Sequence, residues 1–463
     1  MAENTKARDG RVGAENGLML NAGRSGLARG DKATPQEQGT VPKHSGKGTK
    51  KLMTAAALSI VMGLSACGGG GGNGNTGTNT TPTPTTTTVH EAYVVTTPSS
   101  GQSYASVITD NGFKTTVQPQ EGNIVSAVSN PNGSVYLGQK GTAASGNAVM
   151  VINPSTNAVT STIQMDTPPS FMVANPSYTT LIAGSANSSA TNVDAISLQQ
   201  NNVVANVGLA MYTGAPSAIV AGGNSIYFVW PKGSFVGLEG LSLGNFEITD
   251  AKVYATSASG SNAAFSPNGQ FAALGTMASV TFIGSDNFGL ISTIPLPSSA
   301  PVAPVALQYS PDSSKLYALY SSPATSASLG KGYLAVIDSE GMSISNNVQV
   351  GSAPLAMALS TDGSSVYVLG VQGSPGSMTL VLSQINTSTN AVGSTVNLQS
   401  LQGASAPTSG YSIMQSPDGE EVFVAGGNSV YMIDASTMSL RTTANLGGTA
   451  GQMATEDVTT TSQ

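Results

Sequence analysis

The chain has 463 residues, and its 17 basic and 24 acidic residues give a formal net charge of −7. Ten of the basic and five of the acidic residues precede Cys67, so the part after it has a net charge of −12 with scattered Lys and Arg. Without clustered cations, nucleic-acid binding and adhesion to anionic lipid are not expected. Cys67 is the only cysteine, which excludes a disulfide within the chain.

Residues 1–49 are polar and show neither a helical nor a strand period. Two interpretations stay open for this segment. It either precedes the true start, with Val41 as an alternative start position, or forms an extended n-region of a signal peptide.

Residues 50–66 have the layout of a secretory signal peptide. Lys50 and Lys51 precede an apolar stretch over 52–66, which is 15 residues long. A membrane-spanning helix needs about 20 apolar residues, whereas the apolar region of a signal peptide needs fewer.

The tetrapeptide Leu64-Ser65-Ala66-Cys67 resembles the lipobox of bacterial lipoproteins. The resemblance implies that Leu64, Ser65 and Ala66 are recognised by a signal peptidase and that Cys67 carries the lipid. It also implies a membrane partner through that anchor. Gly68 is not the aspartate that retains such proteins at the inner membrane, so we expect an outer-membrane location in the cell envelope, facing the periplasm or the surface.

Residues 67–89 are predicted to form a flexible tether. Positions 68–88 contain only Gly, Asn, Thr and Pro, so they offer no apolar side chain for a core. The root-mean-square reach of about 21 such residues is roughly 25 Å.

Residues 90–457 repeat, with two markers in each unit. The first marker is a Pro/Gly turn before an apolar β-rich run, as in Ser416-Pro-Asp-Gly419 before Val422-Phe-Val-Ala-Gly426. The second is an apolar pair followed by Asn or Asp, as in Val336-Ile-Asp338. These patterns predict four short strands in about 45 residues, which is the blade of a β-propeller.

Both markers resemble the repeats of YVTN-type, lactonase-like β-propellers, and Tyr93-Val-Val-Thr96 is close to the name-giving tetrapeptide. The resemblance implies an all-β propeller and leaves the activity open.

Counting the second marker favours eight blades. The first unit lacks its opening strand, and Ala450–Thr455 resembles the opening strand at Ala353–Ala358. We therefore expect the N- and C-terminal strands to close the ring, with seven blades as the alternative and a disordered tail at 458–463. The marker falls near Ile108, Ile152, Leu198, Leu243, Ile283, Ile337, Ile385 and Ile433.

The sequence offers little catalytic material, because His90 is the only histidine after Cys67. We predict no catalytic residue, no metal site and no cofactor. The Asp residues at equivalent repeat positions are interpreted as turn residues that bond to their own backbone: Asp312, Asp338, Asp362, Asp418 and Asp434. The less regular acidic residues are interpreted as structural or solvated: Glu239, Glu247, Asp250, Asp286, Glu420 and Glu421.

Tyr227 and Trp230 lie in the richest aromatic cluster of the chain. Such residues serve recognition surfaces, so both are candidates for one, but a blade core is the favoured interpretation. The longer inserts at 321–332, 371–377 and 399–410 are predicted to be surface loops and candidate partner contacts.

The sequence thus favours a lipid-anchored envelope β-propeller that acts as a binding or protein-interaction module for an envelope protein or a glycan. A lactonase-like hydrolase that uses carboxylates in the propeller channel is the first alternative. A structural surface protein is the second.

Overall fold

The computed structural model describes residues 85–130, 133–186, 191–209, 216, 218–232, 235–254, 262–297, 303–325, 328–401 and 410–462. The predicted signal peptide, including Leu64, Ser65, Ala66 and Cys67, lies outside the described residues, as does the tether up to residue 84. None of the helical structure in the described part has the length and apolar character that a bilayer span requires.

The prediction of an all-β fold built from four-stranded antiparallel sheets is confirmed. The described residues contain 31 strands and a short 3₁₀ turn at Ala144–Gly146. They form six four-stranded sheets and one seven-stranded sheet, whose strands follow one another in chain order apart from β31.

The sheet with the order β3-β2-β1-β31 contains β1 Thr85–Thr97, β2 Tyr104–Thr109, β3 Gly112–Val117 and β31 Thr449–Ser462. The next three sheets contain β4 Asn123–Asn130, β5 Ser134–Lys140, β6 Ala148–Asn153 and β7 Ala158–Gln164; β8 Phe171–Ala174, β9 Thr180–Ala186, β10 Thr191–Ser197 and β11 Asn202–Leu209; and β12 Ala218–Gly222, β13 Ser225–Lys232, β14 Phe235–Ser242 and β15 Ile248–Tyr254. The fifth contains β16 Ala263–Phe265, β17 Phe271–Thr276, β18 Ser279–Gly284 and β19 Leu290–Pro295.

The seven-stranded sheet contains β20 Ala306–Tyr309, β21 Lys315–Ser321, β22 Lys331–Asp338, β23 Ser343–Leu359, β24 Ser365–Ser374, β25 Ser377–Asn386 and β26 Ala391–Leu401. The last sheet contains β27 Tyr411–Gln415, β28 Glu421–Gly426, β29 Ser429–Asp434 and β30 Ser439–Asn445. The strand β23 bends at Gly351 and Ala353, which have positive φ. Its first part pairs with β22 and its second part with β24, so it is the fourth strand of one unit and the first strand of the next.

The middle strands of each unit are buried on both faces, because the sheets pack face to face. In β5 every residue from Val135 to Gln139 is buried, whereas in β7 every second residue is exposed and only Ile163 is buried. Apolar cores lie between neighbouring sheets; one joins β1 and β2 to β5 and β6, and another joins β1 and β2 to β28 and β29.

The first strands of neighbouring units contact one another. The contacts run from β31 to β4, β8, β12, β16, β20 and β23, and then through β27 back to β31. These strands therefore line the inner side of the sheet arrangement, and the fourth strands lie outside.

The predicted partnership of the N- and C-terminal strands is present, but the predicted boundaries are wrong. The strand β1 begins at Thr85 and pairs with β31 as far as Ser462. The end of the predicted tether, 85–89, and most of the predicted tail, 458–463, are thus paired strands. Thr86 and Thr87 are exposed there, and β-branched side chains such as threonine are enriched in extended strands.

The second marker is placed correctly at six of its eight predicted positions. In each unit a register shift falls directly before this residue in the pairing of the third and fourth strands. In two units the shift precedes Ile196 and Leu241, so the predictions at Leu198 and Leu243 are two residues late. A shift of two keeps the same face of a strand, so apolar alternation does not detect it.

The predicted turns are confirmed at the first marker. At four of these turns a buried serine is the first residue, and its hydroxyl oxygen accepts a hydrogen bond from the backbone N–H five residues later. These bonds are 2.9 Å at Ser266, Ser310 and Ser360 and 3.0 Å at Ser416. Three of the serines also donate to the aspartate two residues on, at Asp312, Asp362 and Asp418.

Candidate functional site

The two aromatic candidates are core residues, in line with the favoured interpretation, and the alternative that they form a recognition surface is wrong. Tyr227 is 5% exposed and stacks on Phe265 with ring centroids 4.1 Å apart. Trp230 is 2% exposed and packs beside Phe228. Both lie on β13, a middle strand, where each face is covered by a neighbouring sheet.

The predicted insert at 371–377 extends the hairpin of β24 and β25, and most of it is exposed. In the insert at 399–410, residues 402–409 lie outside the described residues. The insert at 321–332 includes the end of β21 and the start of β22.

A group of titratable side chains lies where the first and last strands meet the turn before β28. We call it the His90 cluster: His90, Asp110, Asp418, Glu420 and Asp457. His90 on β1 and Asp457 on β31 are direct cross-strand partners, so both side chains share one face of the sheet. Asp110 follows β2, and Asp418 belongs to the turn 416–419.

The imidazole of His90 contacts carboxylates through both nitrogens. Its Nε2 lies 2.8 Å from Oδ2 of Asp418 and 3.8 Å from Oε2 of Glu420, and its Nδ1 lies 3.4 Å from Oδ1 of Asp110. Asp457 holds the turn itself, because its Oδ2 accepts the backbone N–H of Asp418 at 2.7 Å. The side chain of His90 is only 4% exposed.

In each of three residues of the cluster, burial shifts the pKa in one direction and neighbouring charges or hydrogen-bond donors shift it in the other. Desolvation alone would lower the pKa of His90, but the hydrogen bond to Asp418 and the charges of Asp418, Asp110 and Asp457 raise it above its usual value. Burial raises the pKa of Asp457, and the N–H of Asp418 partly offsets this effect. Burial also opposes ionisation of Asp418, but backbone and hydroxyl donors and His90 keep its pKa below the usual range.

The opposite face of the same two strands carries a second carboxylate pair. Glu91 and Glu456 are cross-strand partners and are 0% and 3% exposed. Glu91 accepts a hydrogen bond from the Tyr93 hydroxyl at 2.8 Å and forms an ion pair with Lys114. Burial, together with the charges of Asp457 and Glu91, raises the pKa of Glu456 to about 7.

A third group lies on the last sheet. The guanidinium of Arg441 contacts Glu421 at 2.9 Å and Asp434 at 2.5 Å. Burial raises the pKa of Glu421 to about 7 although Arg441 opposes the shift. Hydrogen bonds from Arg441 and Ser436 lower the pKa of Asp434.

A polar groove of about 540 Å³ opens between the turns 360–363 and 416–419. Asp362, Asp418, Glu420, Asp434 and Arg441 are among the side chains that line it. A smaller cavity of about 210 Å³ lies between the turns 310–313 and 360–363 and includes Lys315. The grooves therefore repeat along the end of the sheets that carries the serine turns.

A third cavity, of about 380 Å³, is lined by the inner strands and differs in character. Its walls include Val220, Ala264, Phe265, Leu307 and Tyr309. Most of its lining side chains are apolar, although polar atoms form much of its surface, and it shares none of the titratable groups of the His90 cluster.

The His90 cluster was not predicted from the sequence. His90 directly follows the predicted tether, and Asp418 was interpreted as a turn residue, which is correct but incomplete. The predicted pairing of the N- and C-terminal strands contained the information needed to find the cluster. Aligning Ala450–Thr455 with the opening strands and then extending the pairing outward brings Asp457 opposite His90.

The fold is that of a β-propeller, as its structural neighbours show. The chain is similar to AztD from Citrobacter koseri, with a TM-score of 0.55, 12% identity and coverage of 81% of this chain and 100% of that one. It is also similar to dihydro-heme d1 dehydrogenase NirN in complex with DHE, with a TM-score of 0.53, 12% identity and coverage of 78% and 74%. No family model and no curated protein matches the chain. At this identity the likeness concerns the fold alone.

Proposed function

We propose that the protein is a propeller anchored through a lipid on Cys67 to the outer membrane and that it acts as a binding module for an envelope protein or a glycan. The anchor is supported by the lipobox-like Leu64-Ser65-Ala66-Cys67. The binding role is supported by the polar groove between the turns 360–363 and 416–419.

The groove is the single observation that carries the binding role. Its carboxylates at Asp362, Asp418 and Asp434 are fixed by serine hydroxyls and backbone N–H groups. Arg441 adds a half-exposed guanidinium at the same place. Fixed acceptors beside a forked donor suit hydroxyl-rich or basic ligands, and rigid turns reduce the ordering cost of binding.

Hydrolysis in the channel receives less support than binding. Among the described first strands, which line the inner side, Asp and Glu occur in β31 alone, at Glu456 and Asp457. Both lie in the middle of that strand, where Glu456 is buried and Asp457 is partly buried. No other described first strand therefore carries a carboxylate that could form a catalytic pair with Glu456 or Asp457 across the channel.

Site-specific photo-crosslinking in cells tests the binding role. A photoreactive residue at exposed Thr361 in the groove should give a discrete crosslinked species, whereas one at exposed Asn287, on the β18–β19 loop, should not. Asp362→Lys should weaken the Thr361 crosslink by about tenfold, equivalent to about 1.4 kcal/mol. Equal crosslinking from both positions, or none from Thr361, contradicts the proposal.

Metabolic labelling with a fatty acid tests the anchor independently. The wild-type protein should incorporate label and sediment with membranes, and Cys67→Ser should do neither. Unlabelled wild-type protein would refute the anchor without touching the groove.

We further propose eight blades, with the ring closed by β1 and β31. This proposal is supported by the cyclic contacts of the first strands and by the double role of β23. Deleting residues 450–463 removes the buried Met453, Ala454 and Val458 and should cost several kcal/mol of stability. An unchanged thermal transition would contradict closure.

A further inference from the structure

Three side chains of the His90 cluster converge on one point. His90, Asp418 and Asp457 each direct one ligand-type atom to it, and these atoms lie within 4.8 Å of one another. They come from three separate parts of the chain: β1, the turn before β28, and β31. Because Asp418 is exposed at the groove, the point is open to ions from solvent.

The histidine is oriented as a metal ligand would be. Its Nε2 faces Asp418, while its Nδ1 lies 3.4 Å from Oδ1 of Asp110. A carboxylate on the far nitrogen fixes the ring and raises the basicity of the near nitrogen, an arrangement that recurs behind metal-bound histidines. Asp110 would therefore be the supporting residue and not a ligand.

Each aspartate has one oxygen held by backbone or hydroxyl donors and a second oxygen outside those bonds. Oδ1 of Asp418 accepts bonds from the Ser416 hydroxyl and the Glu420 N–H, which leaves Oδ2 for the His90 side. Oδ2 of Asp457 accepts the N–H of Asp418, and its Oδ1 is buried without a hydrogen-bond partner among the described residues. A buried carboxylate oxygen without a donor is costly unless a cation or proton meets it.

The cluster also has an excess of negative charge that a bound cation would offset. Asp110, Asp418, Glu420 and Asp457 surround one imidazole, and Arg441 nearby is already paired with Glu421 and Asp434. A dication at the point would offset this excess and bridge the first strand, the last strand and the last sheet.

We propose that His90, Asp418 and Asp457 form a binding site for one divalent transition-metal ion, with Zn²⁺ as the best chemical match. One imidazole nitrogen and two carboxylate oxygens suit Zn²⁺ better than Ca²⁺, which takes six to eight oxygens. Three protein ligands leave a fourth position for Glu420 or water. The site is independent of the proposed partner binding, although Asp418 borders the groove.

Calorimetric titration of the full chain in detergent, after treatment with a chelator and its removal, tests the site. Zn²⁺ should bind at one ion per chain and more tightly than Ca²⁺, with Mn²⁺ as a third arm. His90→Gln and Asp457→Asn should each weaken Zn²⁺ binding by more than 100-fold, and Asp110→Asn by about 10- to 100-fold. Zn²⁺ should also raise the thermal transition of the wild type but not of Asp457→Asn.

Asp362→Asn is the matched control, because Asp362 occupies the same turn position as Asp418 and contacts no histidine through any described bond. It should leave Zn²⁺ binding unchanged. Absence of one-to-one binding by the wild type, or an equal loss in Asp362→Asn, would overturn the proposal. Should His90→Gln fail to fold, the Zn²⁺ affinities of Asp110→Asn and Asp457→Asn still test the proposed site. Loss of metal binding without loss of the Thr361 crosslink would separate this site from the groove.

Discussion

Met453 on β31 offers a direct measure of how much the C-terminal strand contributes to the fold. The side chain is 6% exposed, lies opposite Val94 of β1, and packs in the core that includes Phe423 and Met432 of the last sheet. Met453→Ala removes three groups beyond Cβ, worth about 0.8 kcal/mol each, or about 2.4 kcal/mol in transfer free energy. The cavity left behind brings the expected loss to about 2–5 kcal/mol.

The loss is measurable by urea unfolding followed through the fluorescence of Trp230, the only tryptophan of the chain, which is 2% exposed. Far-ultraviolet circular dichroism should report the same midpoint if unfolding is two-state. Gln452→Ala is the neighbouring control, because Gln452 is exposed and its loss should change stability by less than about 0.5 kcal/mol. If Met453→Ala costs no more than Gln452→Ala, the strand is not packed between two sheets and the reasoning fails.

Three further predictions concern other sheets. Ser360→Ala should cost about 1–3 kcal/mol, because a buried backbone N–H loses its acceptor, whereas exposed Ser364→Ala should be near neutral in the same unfolding assay. Tyr309→Phe should be neutral or stabilising, since the buried hydroxyl of Tyr309 has no hydrogen-bond partner among the described residues. Tyr254→Phe should cost about 1 kcal/mol of stability, since the hydroxyl of Tyr254 donates to a carbonyl at 2.7 Å. Equal costs of the two substitutions would contradict this prediction. Burial raises the pKa of Asp194, so its ionisation opposes folding as pH rises through that pKa. Asp194→Asn should therefore be more stable than wild type at about pH 8 and lose this advantage at about pH 3, below the unfolded-state pKa; a pH-independent difference in melting temperature would refute the assignment.

The strands and turns were predictable because their signals are local. Apolar β-formers such as Val422–Gly426 and turns such as Ser416–Gly419 fix strand and turn within a few residues. The errors at Leu198 and Leu243 arose because a strand pattern repeats every second residue, and so it identifies a face and not a position.

The candidate site was not predictable by the same route. His90 and Asp457 are 367 residues apart, and only the register of β1 with β31 brings them together. Tyr227 and Trp230 show the complementary limit. Their residue types are compatible with a surface as well as with the favoured core, and only the packing of both faces of β13 decides between them.

The position of β1 inside its sheet, between β31 and β2, has a mechanical consequence. Tension that arrives from the N-terminal side runs along β1, and the hydrogen bonds to both neighbours then carry the load together in shear. A strand at a sheet edge would instead peel away one bond at a time. A propeller held at its N-terminus by a membrane would thus be pulled along an internal strand and not along a sheet edge.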